Sequence, residues 1–123
     1  MVSLSAPIAA VKGTSFRVES DDNGHETHTE EGIVIVTSKS KSIDFVSRFF
    51  TPQATILEDP VTGSAHCTLV PYWAKRLKKT TLHARQCSAR GGEIWCEDQG
   101  ERVQVSGLAR TFSAGTFSIA DSL

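Results

Sequence analysis

Hydrophobic and polar positions divide this chain into short alternating stretches and one long apolar stretch. Alternation is typical of β-strands, because successive side chains of a strand point to opposite faces. Strands are predicted on this basis, with their turn signals, at residues 43–50, 82–87, 93–97, 102–106 and 108–117. The continuous β-branched run at 32–37 predicts a strand covered on both faces. Residues 14–30 predict a polar hairpin, and residues 8–11 a short, weak strand.

The stretch from Glu58 to Leu77 has a different pattern. Almost every residue from Ala65 to Ala74 is apolar or weakly polar, which predicts a helix buried on nearly all sides. Pro71 lies inside this helix, and we expect one kinked helix rather than a new helix that begins at Pro71. Short strands on both sides of one buried helix predict an α+β fold, with an antiparallel barrel-like sheet wrapped around the central helix.

Length and composition limit the classes of protein that fit. The chain has 123 residues, enough for a single domain over residues 1–123 with one core. Its net charge is -1, which argues against a sequence-independent nucleic-acid binder. One basic cluster is the exception, and we interpret it as the solvated end of the helix: Lys75, Arg76, Lys78 and Lys79.

The cysteines and the N-terminal residues of the sequence indicate which cellular compartment to expect. The three cysteines are an odd number and include no Cys-x-x-Cys pair, which argues against a disulfide framework or a structural zinc site. The first residues lack a basic segment and are too short and polar to span a bilayer. We therefore expect a cytoplasmic protein with free thiols and no membrane partner.

The residues before the helix suggest a small polar site. Asp59 precedes a proline, which holds its backbone extended. Gly63 allows a ligand to approach the backbone, and Ser64 can cap the helix while leaving first-turn N–H groups free. Such N–H groups bind carboxylate or phosphate, and Asp59 could then carry a proton to or from the bound acid. The alternative is an ordinary helix start at which Asp59 only favours the helix dipole.

Two other patterns are weaker. His25 and His28, with Glu26 or Glu30, could bind a divalent metal, but a polar turn-rich hairpin is more typical of a solvated loop, so no metal site is predicted. The Arg-Gly-Gly at 90–92 favours a glycine bulge in a strand over an RNA-binding unit, although its arginine could line a cleft.

Tryptophans and one cysteine are assigned to the interior. Trp73 and Trp95 are predicted in the core, and Cys67 is predicted to be inert on the buried helix. A nucleophilic pair of Cys67 and His66 is disfavoured, because neighbours in a helix point about 100° apart.

Four segments together resemble a known family. DFVSRFFTP, EDPVTGSAHCTLVPYWAKRL, ARQCSARGGEI and ERVQVSGLA lie in one register from about Gly32 to Gly115. They resemble the C-terminal half of the phenazine-biosynthesis PhzF-like family, which is similar in fold to diaminopimelate epimerase. The resemblance implies one of two alike lobes, each a barrel-like sheet around a helix, with the active site in the cleft between them.

The resemblance also implies a chemistry. Well-known members of this family isomerise a cyclic amino acid by proton transfer, without a metal or an organic cofactor. Asp59 matches the family's acidic proton carrier, and Gly63 and Ser64 match the helix start that holds the substrate. His66 lies in the same block and is assigned a structural or site-lining role.

The family's catalytic glutamate, its Gly-Asn-Pro type motif and a substrate-contacting histidine belong to the N-terminal lobe, for which we find no matching segment. We therefore expect a truncated protein without the full isomerase activity, which binds a small carboxylate at the helix start or associates with another protein. The alternative is an isomerase or epimerase whose site is completed by a homodimer. A homodimer is expected in either case, because a lone lobe would expose the surface that met its partner.

Overall fold

The local patterns of the sequence appear as nine strands and one helix in the computed structural model, which describes residues 2–7, 17–20, 25–30, 33–51 and 55–121. The strands are β1 (Val2–Pro7), β2 (Arg17–Ser20), β3 (Glu26–Glu30), β4 (Ile33–Lys39), β5 (Phe45–Phe50), β6 (Glu58–Asp59), β7 (Thr81–Gln86), β8 (Gly92–Asp98) and β9 (Arg102–Gly107). The helix α1 (Gly63–Leu77) continues through Pro71, which confirms the prediction of one helix.

The strands form one sheet in the order β1-β9-β8-β7-β5-β4-β3-β2, and β6 pairs with the free part of β5. The α+β class with one central helix is confirmed for the described residues. The expectation of a fully antiparallel sheet is wrong, because β5 and β7 run parallel. The helix lies between these two strands in the chain, and such a crossover brings the next strand back in the same direction. The sheet is also open in the described part, with β1 and β2 at its two edges.

Several strand predictions can be compared with the structure. The hairpin is confirmed, since β2 and β3 pair with Ser20 opposite Glu26, although its turn lies outside the described residues. β4 is not covered on both faces, because only Ile35 and Thr37 are buried and their neighbours are partly exposed. Residues 8–11 lie outside the described residues, and the strand near them is β1, six residues long, which pairs with β9.

The strand predicted at 108–117 is wrong. These residues have no regular secondary structure and are exposed throughout. Their large apolar residues are Leu108, Phe112 and Phe117, which are spaced by four and five positions instead of two. A spacing of this kind gives no apolar face to a strand, so nothing holds the segment against the sheet.

Helix α1 forms the centre of the core, because most of its inward positions are apolar. Its buried residues are Ala65, His66, Cys67, Leu69, Val70, Trp73 and Ala74, while Thr68, Pro71 and Tyr72 remain partly exposed, so the helix is not buried on all sides. Trp73 stacks on Phe45 of β5 at a ring distance of 5.9 Å, and its indole N–H donates to Thr37 of β4 at 3.0 Å. Strands from both halves of the sheet thus contribute to one core around the helix.

The C-terminal end of the helix is polar. Lys75 and Arg76 lie in its last turn, where cations interact favourably with the helix carbonyls, and Lys78 ends it in the left-handed conformation with φ 55°. The basic cluster therefore lies at a helix end, as predicted. No helix in the described residues is long and apolar enough to cross a membrane.

Trp95 does not join the core that Trp73 joins. It is partly exposed on β8, where its ring stacks on His83 of β7 at 5.0 Å. The rings of Trp95 and His83 thus cover part of the outer face of the sheet. His83 Nε2 also lies 3.4 Å from a carboxylate oxygen of Glu93.

Candidate functional site

The start of α1 is the centre of the candidate site. The residue before the helix is Thr62, with an extended backbone (φ -118°, ψ 99°) and no side-chain hydrogen bond to the first turn. Because the helix begins at Gly63, Ser64 lies inside the first turn, and the expectation that Ser64 caps the helix is wrong. Gly63 and Ser64 are both exposed, and a Cβ at Gly63 would meet nothing within 4 Å. The first-turn N–H groups thus have no side-chain cap, and the two residues that begin the helix are exposed.

The Thr62 hydroxyl is directed to Asp59 instead of the helix. It donates a short hydrogen bond to Oδ2 of Asp59, and Asp59 is held in β6 opposite Phe49 of β5. The extended backbone expected at Asp59 is confirmed by this strand. The carboxylate is therefore oriented by the same residue that leaves the helix start uncapped.

Gln86, fully buried at the end of β7, fixes the loop between Asp59 and the helix. Its Oε1 accepts from the Thr62 backbone N–H at 2.8 Å, while its Nε2 donates to the Asp59 carbonyl at 2.8 Å and lies 3.1 Å from the Thr62 hydroxyl oxygen. In a capping box a glutamine three residues into the helix satisfies the N–H of the capping residue. Here a glutamine from a neighbouring strand does so.

His66 lies in the interior behind the helix start, with no exposed surface. Its Nδ1 is 2.7 Å from the Thr62 carbonyl oxygen, and Phe45 stacks on its ring. Burial lowers the pKa of His66 to about 4, although the hydrogen bond to Thr62 acts in the opposite direction. The imidazole is therefore neutral at pH 7, with its proton on Nδ1, since a carbonyl only accepts. His66 supports the loop in this arrangement, and contact with a ligand stays a prediction.

A pocket of about 630 Å³ opens beside the helix start. Gly63 is part of its lining, Arg90, Glu93 and Ser106 are its polar side chains, and Val61, Ile94 and Val105 are among its apolar lining residues. A cation and uncapped N–H groups beside a partly apolar pocket suit a small acid with a carbon skeleton, although the Glu93 carboxylate belongs to the same lining.

The loop that carries Arg90 is packed tightly against the helix entrance. Gly91 has a left-handed backbone (φ 73°), and Gly92 begins β8, where an added Cβ would lie 2.2 Å from a methyl group of Val61. The glycines are thus needed for a turn and a close approach, and the predicted bulge inside a strand is wrong. Ser88 secures the loop by donating to the Pro60 carbonyl oxygen at 2.8 Å.

Glu58, next to Asp59, has a structural partner. Arg48 donates to its two carboxylate oxygens at 2.8 and 2.9 Å, and these hydrogen bonds lower the pKa of Glu58. Glu58 therefore links β6 to β5 through Arg48, and we do not consider it a second candidate for the catalytic acid.

The structure brings together some of the predicted residues. Asp59 and Gly63 lie on either side of Thr62, and Ser64 follows in the first turn, but the described lining of the pocket includes Gly63 and not Asp59. Sequence reasoning missed Thr62 and Gln86. Gln86 gave a signal, because it is a polar residue at an inward position of an alternating strand, after Leu82 and Ala84.

The residues described here include no cluster of three or more side chains that could hold a metal ion. The pattern around His25 and His28 falls partly outside them, since the His28 side chain is not described. No metal ligand set is therefore assigned to the site.

A family model described as phenazine biosynthesis-like protein (PhzC-PhzF) matches residues 1–115. The chain belongs to this family. An uncharacterized isomerase of Pseudomonas aeruginosa is 56% identical to this PhzC-PhzF chain over 87 residues, which are 71% of the chain and 33% of that protein. The human phenazine biosynthesis-like domain-containing protein is 43% identical over 81 residues, 65% of the chain and 28% of that protein.

Solved structures of PhzC-PhzF proteins match the fold. A protein from Clostridium difficile superimposes with a TM-score of 0.70 at 28% identity, and the match covers 95% of this chain and 57% of that one. A family member from Enterococcus faecalis gives 0.69 at 32% identity, with 90% and 55% covered. The chain thus spans about a third of the length of the curated relatives it matches and somewhat more than half of these two structures.

Proposed function

We propose that this PhzC-PhzF chain binds a small carboxylic acid at the start of α1. The observation that carries the proposal is that the Thr62 hydroxyl donates to Asp59 and leaves the first-turn N–H groups uncapped. The acid's carboxylate would accept from these N–H groups, and its carbon skeleton would lie in the pocket beside Val61 and Ile94. Arg90 on the pocket wall would attract the carboxylate, while Glu93 in the same lining would oppose it.

The N–H groups can be tested one at a time. Proline is tolerated at the first helical position, and the extended Thr62 backbone is the conformation that a residue before proline requires. Gly63→Pro thus removes one donor and keeps the helix, whereas Gly63→Ala keeps the donor in the same open space. We expect succinate affinity, measured by titration calorimetry, to fall about 10-fold or more in Gly63→Pro and to stay nearly unchanged in Gly63→Ala.

Arg90 lies in the loop before β8, and Lys75 on α1 provides a control of the same charge. Arg90→Ala should weaken succinate binding, while Lys75→Ala, at the far end of α1, should not. The uncharged succinamide serves as the ligand control. No succinate binding at millimolar concentration, or equal losses in both alanine variants, would overturn the proposal.

A second candidate function is proton transfer at the Cα of a bound amino acid, with a site completed by a homodimer. The orientation of the Asp59 carboxylate by Thr62, together with the name isomerase that the Pseudomonas relative carries, favours it. Two copies that meet at their helix starts would place one Asp59 near the other, and two close carboxylates can share a proton.

Proton transfer leaves an isotopic trace. An active protein in D₂O replaces the substrate Cα–H by C–D, which proton NMR detects, and Asp59→Asn should abolish this exchange. A panel of cyclic and linear amino acids that shows no exchange with the intact chain would remove the second candidate without affecting the first.

A further inference from the structure

Hydrogen bonds join Gln86, Thr62 and Asp59 in front of the helix start, and the backbone groups among them fix the orientation of the Gln86 amide. A backbone N–H only donates, and a backbone carbonyl only accepts. The Thr62 N–H lies 2.8 Å from one end of the amide, so this end is Oε1. The Asp59 carbonyl oxygen lies 2.8 Å from the other end, which must be Nε2. Both backbone groups would lose their partners if the amide were turned over.

The orientation of the amide determines the direction of the Thr62 hydroxyl. Gln86 Nε2 carries two hydrogens, of which one is donated to the Asp59 carbonyl and the other to Thr62 Oγ1, 3.1 Å away. Thr62 Oγ1 therefore accepts from Gln86, and its own hydrogen is donated to Oδ2 of Asp59. The hydrogen bonds of the described residues thus run in one direction, from Gln86 through Thr62 to Asp59.

The two carboxylate oxygens of Asp59 consequently differ. A proton on Oδ2 would take the place of the hydrogen from Thr62, which would then have to point away from its acceptor. Thr62 is buried, and a buried donor without a partner is costly. In the described part of the chain Oδ1 makes no hydrogen bond, and it is not among the side-chain atoms that are buried without a partner. Oδ1 is therefore the open oxygen of this carboxylate.

We infer that Asp59 gains and loses its proton at Oδ1, because Thr62, oriented by Gln86, holds Oδ2 as a hydrogen-bond acceptor. Thr62 is a positioning residue in this arrangement. The catalytic part of the inference rests on the second candidate function. There the Cα–H proton passes to Oδ1, the electron pair of the broken C–H bond stays on the substrate, and Oδ1 then returns a proton to it.

The first test uses the free protein and needs no substrate. NMR couplings through hydrogen bonds should link the Thr62 nitrogen with the Gln86 side-chain carbonyl carbon, and the Gln86 side-chain nitrogen with the Asp59 backbone carbonyl carbon. In a mixture of H₂O and D₂O, the isotope on the Thr62 hydroxyl should shift the carboxyl carbon resonance of Asp59.

Threonine variants identify the source of this isotope shift. It should persist in Thr62→Ser and disappear in Thr62→Val, which keeps the shape of the side chain without the hydroxyl. Thr68→Val, at a partly exposed position of α1, is the control and should retain it. A shift that remains in Thr62→Val, or couplings that show the opposite orientation of the amide, would overturn the inference. If Thr62→Val does not fold, the absence of the couplings or of the shift in the intact chain would overturn it equally.

The second test concerns positioning and uses the amino acid that the intact chain exchanges with deuterium. Thr62→Val should lower kcat for this exchange about 10-fold or more and leave KM nearly unchanged, because Thr62 orients the acid and does not hold the substrate. Thr62→Ser should recover most of the rate. A rise in KM alone would refute the positioning role. No exchange by the intact chain would refute the second candidate function and the catalytic part of this inference, whereas the NMR result decides the direction of the hydrogen bonds independently.

Discussion

His66 is a buried histidine that packing keeps neutral, and this has a measurable effect on stability. Its pKa is lowered by burial to about 4, whereas an unfolded chain protonates histidine near pH 6.5. Between these values the unfolded chain binds the extra proton and the folded chain does not. The stability that His66 provides is therefore complete above about pH 6.5 and is lost as the pH falls towards 4.

We expect the free energy of unfolding of the intact chain to fall by about 3 kcal/mol between pH 6.5 and 4 from this group alone. His66→Gln removes the titrating group and should lose correspondingly less over the same range. Urea unfolding at each pH measures the difference. Parallel pH profiles for the two proteins would show that His66 is not held neutral.

Gln86 gives a second prediction at this scale. Gln86→Leu leaves the Thr62 N–H and the Asp59 carbonyl without their partners, and each buried unpaired group costs about 1–3 kcal/mol. A loss of about 2–4 kcal/mol in unfolding free energy is expected. Gln104→Leu, on the partly exposed β9 position that accepts one bond from Gln99, should cost less than about 1 kcal/mol.

Predictability from sequence differs between these residues. Asp59 and Gly63 could be singled out because they lie four positions apart around a helix start. The partnership of Gln86 with Thr62 spans 24 positions, and the pairing of distant strands creates it. No local pattern contains that pairing, although the polar residue at an inward strand position marked Gln86 as unusual.

At the scale of elements, the entry to α1 is held by close packing between two segments. Val61 leads into the helix, and its side chain lies against the backbone of Gly92 at the start of β8, with no room for a Cβ on the glycine. The position of the helix start relative to the sheet therefore depends on one missing methyl group.

Gly92→Ala should destabilise the protein by about 1–3 kcal/mol, because its Cβ would force Val61 to move. Val61→Ala, combined with it, removes the clashing methyl and should recover part of the loss. Gly115→Ala, where a Cβ meets nothing within 4 Å, should change stability by less than about 0.5 kcal/mol. Thermal unfolding of the unchanged chain and the three variants measures these differences in stability. Equal stabilities would contradict the prediction.

Elements differed in how well sequence predicted them. β7 and β9 follow from local alternation, and α1 follows from a continuous apolar run. The parallel pairing of β5 with β7 could not be predicted in this way, since alternation gives the faces of a strand but not its neighbours. Residues 108–117 were predicted as one more strand, although the spacing of their large apolar residues does not fit a period of two.

At the scale of the whole molecule, the homodimer of the second candidate function would make stability depend on protein concentration. A dimer that dissociates as it unfolds is stabilised by mass action, and each tenfold increase in concentration should raise Tm by about 2–3 °C for a pair of chains of this length. Differential scanning fluorimetry over a hundredfold range of protein concentration measures this dependence of Tm. A constant Tm would argue against a dimer.

Because β1 pairs with β9, the sheet can be completed only late in the synthesis of the chain. Val2 lies opposite Gly107, so β1 is synthesised about a hundred residues before the strand with which it pairs. Until then β1 is a short β-prone segment without a partner, and closing so long a loop is slow. The sheet can therefore be completed only after β9 has emerged, and a nascent chain that stalls earlier would present β1 to chaperones or to other chains.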